Sequence, residues 1–329
     1  MGLLVDGTWQ DRWYDTSASG GRFIREDAQF RGTIDANAGN GDDARFPAES
    51  GRYHLYVSLA CPWAHRTLIV RSLKELDSHI GVSVVSPIML DDGWTFDESE
   101  GSSGDTLHGS RFMRELYTRA QADYSGRVTV PVLWDRHSDT IVSNESSEII
   151  RMLGTAFDGV TGNTLDFYPE ALREDIDGWN ERVYPAVNNG VYRAGFATTQ
   201  QAYEEAYEEL FAELDRIDAH LECHRYLCGD TLTEADIRLF TTLIRFDAVY
   251  HGHFKCNRQR LEDFRAIPAY VRELYQLPGV AETVDFHHIK KHYYGSHGTI
   301  NPTAVVPLGP SIDYLRPHRR DELRRADAA

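Results

Sequence analysis

One cysteine stands where a chain could do chemistry: in Ser58-Leu59-Ala60-Cys61-Pro62-Trp63-Ala64-His65-Arg66 it follows the apolar run Tyr53–Val57 and precedes a proline-started helical pattern. A thiol at the start of a helix meets unpaired backbone amides and the positive end of the helix dipole, both of which favour the nucleophilic thiolate. Ala64 occupies the position where a dithiol oxidoreductase carries its second cysteine, so the site reads as monothiol. A mixed disulfide formed on Cys61 then needs a second soluble thiol to resolve it. Two other features suit a peptide-like thiol. In Val130-Pro131, a cis bond would expose the Val130 backbone to a cysteinyl ligand, whereas a trans proline would mark an ordinary edge strand; the local sequence supports either. Glu145-Ser146 opens a helical segment, where a carboxylate can hold an α-amino group while amides and a hydroxyl hold an α-carboxylate, as a γ-glutamyl head requires.

The elements that position these residues follow from hydrophobic pattern. Tyr53–Val57 reads as a strand, Leu68, Ile69, Leu73 and Leu76 recur at helical spacing after it, and Val82–Val85 and Val128–Leu133 read as further strands. Ile141-Val142 leads into the helix opened by Glu145 and Ser146. This order of strand, helix, strand, strand, strand, helix predicts an α/β, thioredoxin-like domain over 51–160, after an extended, loosely packed arm over 1–50 that is rich in Gly, Asp and Ser. From 161 to 288 an all-α domain is expected, its clearest helix running from Ala202 to Leu221 with Ala206, Leu210, Phe211, Leu214, Ile217 and Leu221 on one stripe. Thr233 and Asp236 match a helix-start capping box, which makes Asp236 structural. Beyond about Phe286 the chain reads as loop, and 289–329 as a tail packing back on the protein.

Composition limits the function. The 51 acidic residues outnumber 34 basic ones for a net charge of −17, which excludes a nucleic-acid partner that needs a basic face. Only four of the basic residues are lysines: Lys74, Lys255, Lys290 and Lys291. Acidic excess with scarce lysine points to a halophile, since repulsion between carboxylates is screened within ~3 Å at molar salt. No run approaches a membrane span, and the opening Met1–Asp6 lacks a signal-peptide pattern, so a cytoplasmic protein is expected. Four cysteines in a chain this long do not form a disulfide framework. His251, His253 and Cys256 could donate to a metal but lack a completing partner at the usual spacing, so no metal is expected. Phosphate-cradling glycine loops and nucleophilic serine elbows are missing.

With these residues in view, the chain resembles the Xi class of glutathione transferases, the glutathionyl-hydroquinone reductases, over nearly its whole length. The resemblance is carried by Cys61–Arg66, Asp91–Phe96, Ser125–Asp135, Asn189–Ala197 and the stretch from Ile289 to Pro302. It implies a thioredoxin-like domain followed by a helical glutathione-transferase domain, and a homodimer formed through the helical domains. It also implies Cys61 as nucleophile, Trp94, Arg127, Val130, Glu145 and Ser146 around the thiol cosubstrate, and Tyr192 and Tyr293 over the quinone. The thiol is expected to be glutathione or, in a halophilic host, γ-glutamylcysteine. Two rival readings are an omega-like thioltransferase or dehydroascorbate reductase, and a non-catalytic binding module of the same fold; an activated Cys61 weighs against the second.

Overall fold

The computed structural model describes residues 2–36 and 45–325, and its chain divides into two compact units. Part of the expected arm, 37–44, and the last four residues of the tail, 326–329, lie outside the described residues. The first unit comprises Met1–Trp13, Glu26–Asp166 and Glu282–Val306; the second comprises Tyr14–Arg25, Phe167–Ala281 and Pro307–Ala329.

The first unit begins with more order than its composition suggests. Strands β1 (Leu3–Val5) and β2 (Thr8–Gln10) form a hairpin. Its turn carries positive φ at Asp6 and Gly7, and a side chain at Gly7 would meet the Ala122 carbonyl. Regular structure was expected only from Tyr53, because three-residue strands are too short to show an alternating pattern. Next come β3 (Tyr53–Val57), α1 (Pro62–Leu73), β4 (Gly81–Val84), α2 (Met113–Ala120), β5 (Gly126–Arg127), β6 (Val132–Asp135), β7 (Thr140–Ser143), α3 (Ser146–Thr155) and the single turn α4 (Asp158–Thr161). β3 is buried along its whole length and pairs in parallel with β4 across the α1 crossover. On its other side it pairs antiparallel with β6, and β6 with β7, giving the sheet order β4-β3-β6-β7. α1 and α3 pack together, and Trp134 of β6 is fully buried. A second sheet, β2-β1-β5, joins the N-terminal hairpin to Arg127. The single strand expected over Val128–Leu133 is broken: β6 starts only at Val132, after a cis bond between Val130 and Pro131.

The end of α1 shows why one lysine survives in a chain that avoids them. Lys74 is fully buried, and its ammonium donates to the Asp158 carboxylate at 2.8 Å and to the carbonyls of Asn163 and Leu165 at 2.6 Å each. Three acceptors match the three donors of an ammonium.

In the second unit the helices are α5 (Arg173–Val183), α6 (Gly190–Gly195), α7 (Gln200–Leu221), α8 (Glu234–Arg245) and α9 (Ile267–Tyr275). π-helical turns Tyr184–Asn188 and Phe246–Tyr250 extend α5 and α8. α7 buries the stripe expected from the sequence, and the Thr199 hydroxyl caps its start. Thr233 and Asp236 form the capping box of α8. Asp236 is fully buried and also accepts hydrogen bonds from Leu227 N–H and the Tyr270 hydroxyl, which leaves it a structural residue.

Back in the first unit, the segment read as loop forms helix α10 (Phe286–Ser296), capped by the Asp285 carboxylate, which accepts from His288 N–H at 2.8 Å. Its buried face is His288, Ile289, His292 and Tyr293. Histidine adds little to a hydrophobic pattern, so the helical spacing did not register. Among the described residues, no helix is long and apolar enough to cross a membrane.

Candidate active site

Cys61 is the N-cap of α1, with extended backbone, and Pro62 occupies the first helical position. The Cys61 carbonyl already accepts from His65 N–H at 3.0 Å, while its N–H donates to Ser58 O at 3.1 Å. This turn sets the half-buried sulfur 3.5 Å from the Val130 carbonyl oxygen.

Val130 owes its position to a tyrosine that the sequence reading did not single out. Thr129, just before it, donates its N–H to the Tyr117 hydroxyl at 3.2 Å and accepts from that hydroxyl at its carbonyl at 2.9 Å. Asn144 Nδ2 donates to the same oxygen at 3.1 Å. Tyr117 is fully buried, and burial raises its phenol above the ordinary range. The strand end before the cis proline is thus held by side chains, and Val130 lies outside the ladder of β6.

At the other helix start, Glu145 is the N-cap of α3. Its Oε1 accepts from Ser147 N–H at 2.9 Å and from the Ser147 hydroxyl at 2.7 Å. Ser146 is buried, and its hydroxyl accepts from Arg66 Nη1 at 3.2 Å. The Arg66 guanidinium in turn lies 4.5 Å over the Trp63 ring. Arg66, in the second turn of α1, therefore links that helix to the first turn of α3, the two helices whose starts carry Cys61 and Glu145-Ser146.

Trp94 follows the turn Leu90–Gly93 and is buried, its indole stacked on His292 at 4.8 Å between centroids and 22° between planes. His292 Nδ1 donates to the Pro87 carbonyl at 2.8 Å, since a carbonyl can only accept, and this bond fixes the ring. Tyr293 is 1% exposed and meets the rings of His292 and His297 edge-on. Arg127 is buried, donating from Nη1 to the Arg12 carbonyl at 2.6 Å and pairing with Glu26 at 3.4 Å.

Cys61, Trp94, Arg127, Val130, Glu145, Ser146 and Tyr293 all belong to the first unit. Tyr192 belongs to the second, on α6, where its ring packs against Phe196, Tyr250 and Phe254 and lies 5.0 Å from the Arg25 guanidinium. Among the described residues, no group of three or more His, Cys, Asp or Glu side chains is gathered so as to hold a metal ion. Cys256 is buried, and burial raises its thiol above the ordinary range; Cys228 is likewise pushed up to about 11. Cys223 is exposed. Sequence reasoning missed Arg66, Tyr117 and the helical setting of His292.

Comparisons with known proteins identify the family of the chain. Residues 60–156 match the model of the glutathione S-transferase N-terminal domain, and residues 200–276 that of the C-terminal domain. The chain is 55% identical over 324 residues to the glutathionyl-hydroquinone reductase YqjG of Escherichia coli, covering 98% of this chain and 99% of the relative. The glutathione-bound structure of the Escherichia coli YqjG aligns with a TM-score of 0.89 at 52% identity, over 97% of this chain and 99% of that one. A Xi-class glutathione transferase from Natrialba magadii aligns with a TM-score of 0.90 at 50% identity, over 98% of this chain and 97% of that one.

Proposed function

The chain belongs to the Xi class of glutathione transferases, the glutathionyl-hydroquinone reductases, and from that membership we propose a mechanism in which Cys61 is the nucleophile. The enzyme removes a glutathionyl or γ-glutamylcysteinyl group from hydroquinone thioethers, with glutathione or γ-glutamylcysteine as the thiol cosubstrate. The aryl carbon of such a thioether is a poor leaving group until a ring hydroxyl has become a ketone. Tyr192 and Tyr293 hydrogen-bond the ring oxygens and promote this keto tautomer. The Cys61 thiolate then attacks the thioether sulfur. The carbon–sulfur bond breaks, its electron pair passes to the ring, and protonation there gives the free hydroquinone. The ring gains two electrons, and the new sulfur–sulfur bond on Cys61 accounts for the matching oxidation. A second thiol attacks this mixed disulfide, releasing a soluble disulfide and restoring Cys61.

The observation that carries this reading is the Cys61 sulfur 3.5 Å from the Val130 carbonyl, beside cis-Pro131. A cysteinyl backbone pairing with Val130 would bring its own sulfur to Cys61. Glu145 and Ser146 at the start of α3 suit the γ-glutamyl head, and Trp94 and Arg127 complete the thiol site. The protein acts as a cytoplasmic homodimer formed through its helical domain. Its acidic composition, together with the likeness to the Natrialba magadii chain, supports a halophilic source.

The discriminating assay offers a thiol–hydroquinone conjugate and dehydroascorbate separately, with glutathione and with γ-glutamylcysteine. Release of hydroquinone with stoichiometric disulfide is expected. Turnover of dehydroascorbate with the conjugate untouched would favour the omega-like reading.

A further inference from the structure

The N-terminal hairpin reaches Arg127 of the proposed thiol site and, by a separate contact, the turn that precedes Trp94. Trp9, half-buried on β2, donates its indole N–H to the Asp91 carbonyl at 3.0 Å. Its ring also closes over Gly93: that glycine has φ +69°, and a Cβ there would lie 2.7 Å from the Trp9 ring. The turn is closed by Gly93 N–H donating to Leu90 O at 2.9 Å, and the next residue is Trp94. Arg114 braces the same turn. Its guanidinium lies 4.9 Å from the Trp9 ring and 3.8 Å from that of Phe112, and it donates to the Asp92 carbonyl at 2.7 Å and to the Asp92 carboxylate at 3.0 Å. Meanwhile β1 of the hairpin pairs with β5, setting Leu3 opposite Arg127, and the Arg12 carbonyl accepts from Arg127 Nη1 at 2.6 Å.

We propose that Trp9 is a positioning residue for the thiol site: it holds the Asp91–Gly93 turn so that Trp94 is oriented before the thiol arrives. The inference rests on the reading that Trp94 contacts the thiol. The Trp9 ring over Gly93, with hydrogen bonds to Asp91 and Asp92, leaves Trp94 little freedom to lose on binding, and preorganisation of this kind raises affinity without touching the reacting atoms.

Three variants test it: Trp9→Ala, Trp9→Phe and Trp94→Ala, each with a melting curve, a calorimetric dissociation constant for glutathione, and kcat and KM for a glutathionyl-hydroquinone. Trp9→Ala should weaken glutathione roughly three- to tenfold, the scale of one hydrogen bond with its packing, and raise KM for the conjugate in parallel. At saturating conjugate, kcat should stay within about twofold, because uniform binding rather than transition-state contact is lost. Trp9→Phe keeps an aromatic ring on β2 but loses the N–H and the outer indole ring that closes over Gly93, so it should fall between Trp9→Ala and the parent. Should Trp9→Ala fail to fold, Trp9→Phe decides alone. In a Trp94→Ala background, Trp9→Ala should weaken binding no further. A folded Trp9 variant with the parent dissociation constant, beside a weakened Trp94→Ala, would overturn the inference and leave the thiol-site reading standing. An unchanged dissociation constant in Trp94→Ala would instead overturn that reading and the inference with it.

Discussion

In the first unit the residues assigned to the thiol sit where secondary structure begins or breaks: Cys61 and Glu145 are helix N-caps, and Val130 precedes a cis proline. In the second unit Tyr192 sits inside a six-residue helix, within a cluster of aromatic rings. Ends of elements hold backbone amides and carbonyls without intrahelical or ladder partners, and these groups can bind a ligand or activate a thiol. The interior of a helix offers only side chains. Chemistry built on element ends therefore leaves a mark in the local sequence, while chemistry built on a packed ring does not.

The largest effect expected from this contrast is at Cys61. Cys61→Ser should reduce turnover on the order of a thousandfold or more, with the melting temperature unchanged, because an alcohol cannot form the mixed disulfide. Substantial turnover in that variant would move the nucleophile away from the helix start.

A smaller and more selective loss is expected at the rings. Tyr192→Phe and Tyr293→Phe remove one hydroxyl each and keep the packing, so reduction of the quinol thioether should slow on the order of a hundredfold. Reduction of a simple mixed disulfide should be nearly unaffected, since a thiolate leaves without carbon protonation. Equal losses on both substrates would make these tyrosines packing residues and erase the distinction between ring chemistry and element-end chemistry.

In acid stability the two units should behave alike. His54 in the first and His253 in the second are buried, and burial lowers each to about 4 from an ordinary 6.5. A lowered folded pKa means that the unfolded chain takes up a proton first. Stability from these histidines is therefore complete above about pH 6.5 and is lost as pH falls toward 4. Denaturant titrations at molar salt should show His54→Gln and His253→Gln each removing about one proton from that slope. A slope unchanged in one variant alone would assign the acid sensitivity to the other unit.

The same contrast explains what was legible beforehand. β3 was read to its residue limits, and the helix opened by Glu145 was read from its capping residues, because alternating apolar runs and caps are local signals. The buried stripe of α7 was equally plain from Ala202 to Leu221, within a helix that starts at Gln200. The hairpin Leu3–Gln10 was not, since its two strands are three residues each and rest on long-range pairing with Arg127. α10 was missed because histidines supply half of its buried face. Glu145, Ser146 and Val130 could be proposed from their own surroundings. Trp94, Arg127, Tyr192 and Tyr293 came through family resemblance alone: the settings of the first three are made by His292, Arg12 and Phe254, all distant in sequence, while Tyr293 packs on His292 and His297 of the histidine-rich stretch whose helical spacing is faint.

The claim on which everything else depends is that catalysis passes through a covalent adduct on Cys61. One turnover of a glutathionyl-hydroquinone without excess thiol, followed by intact mass and peptide mapping, measures it directly. The account predicts a single glutathionyl adduct on the peptide containing Cys61, removed by added glutathione as turnover resumes. Release of hydroquinone with Cys61 unmodified, or an adduct carried by Cys223, Cys228 or Cys256, would contradict it.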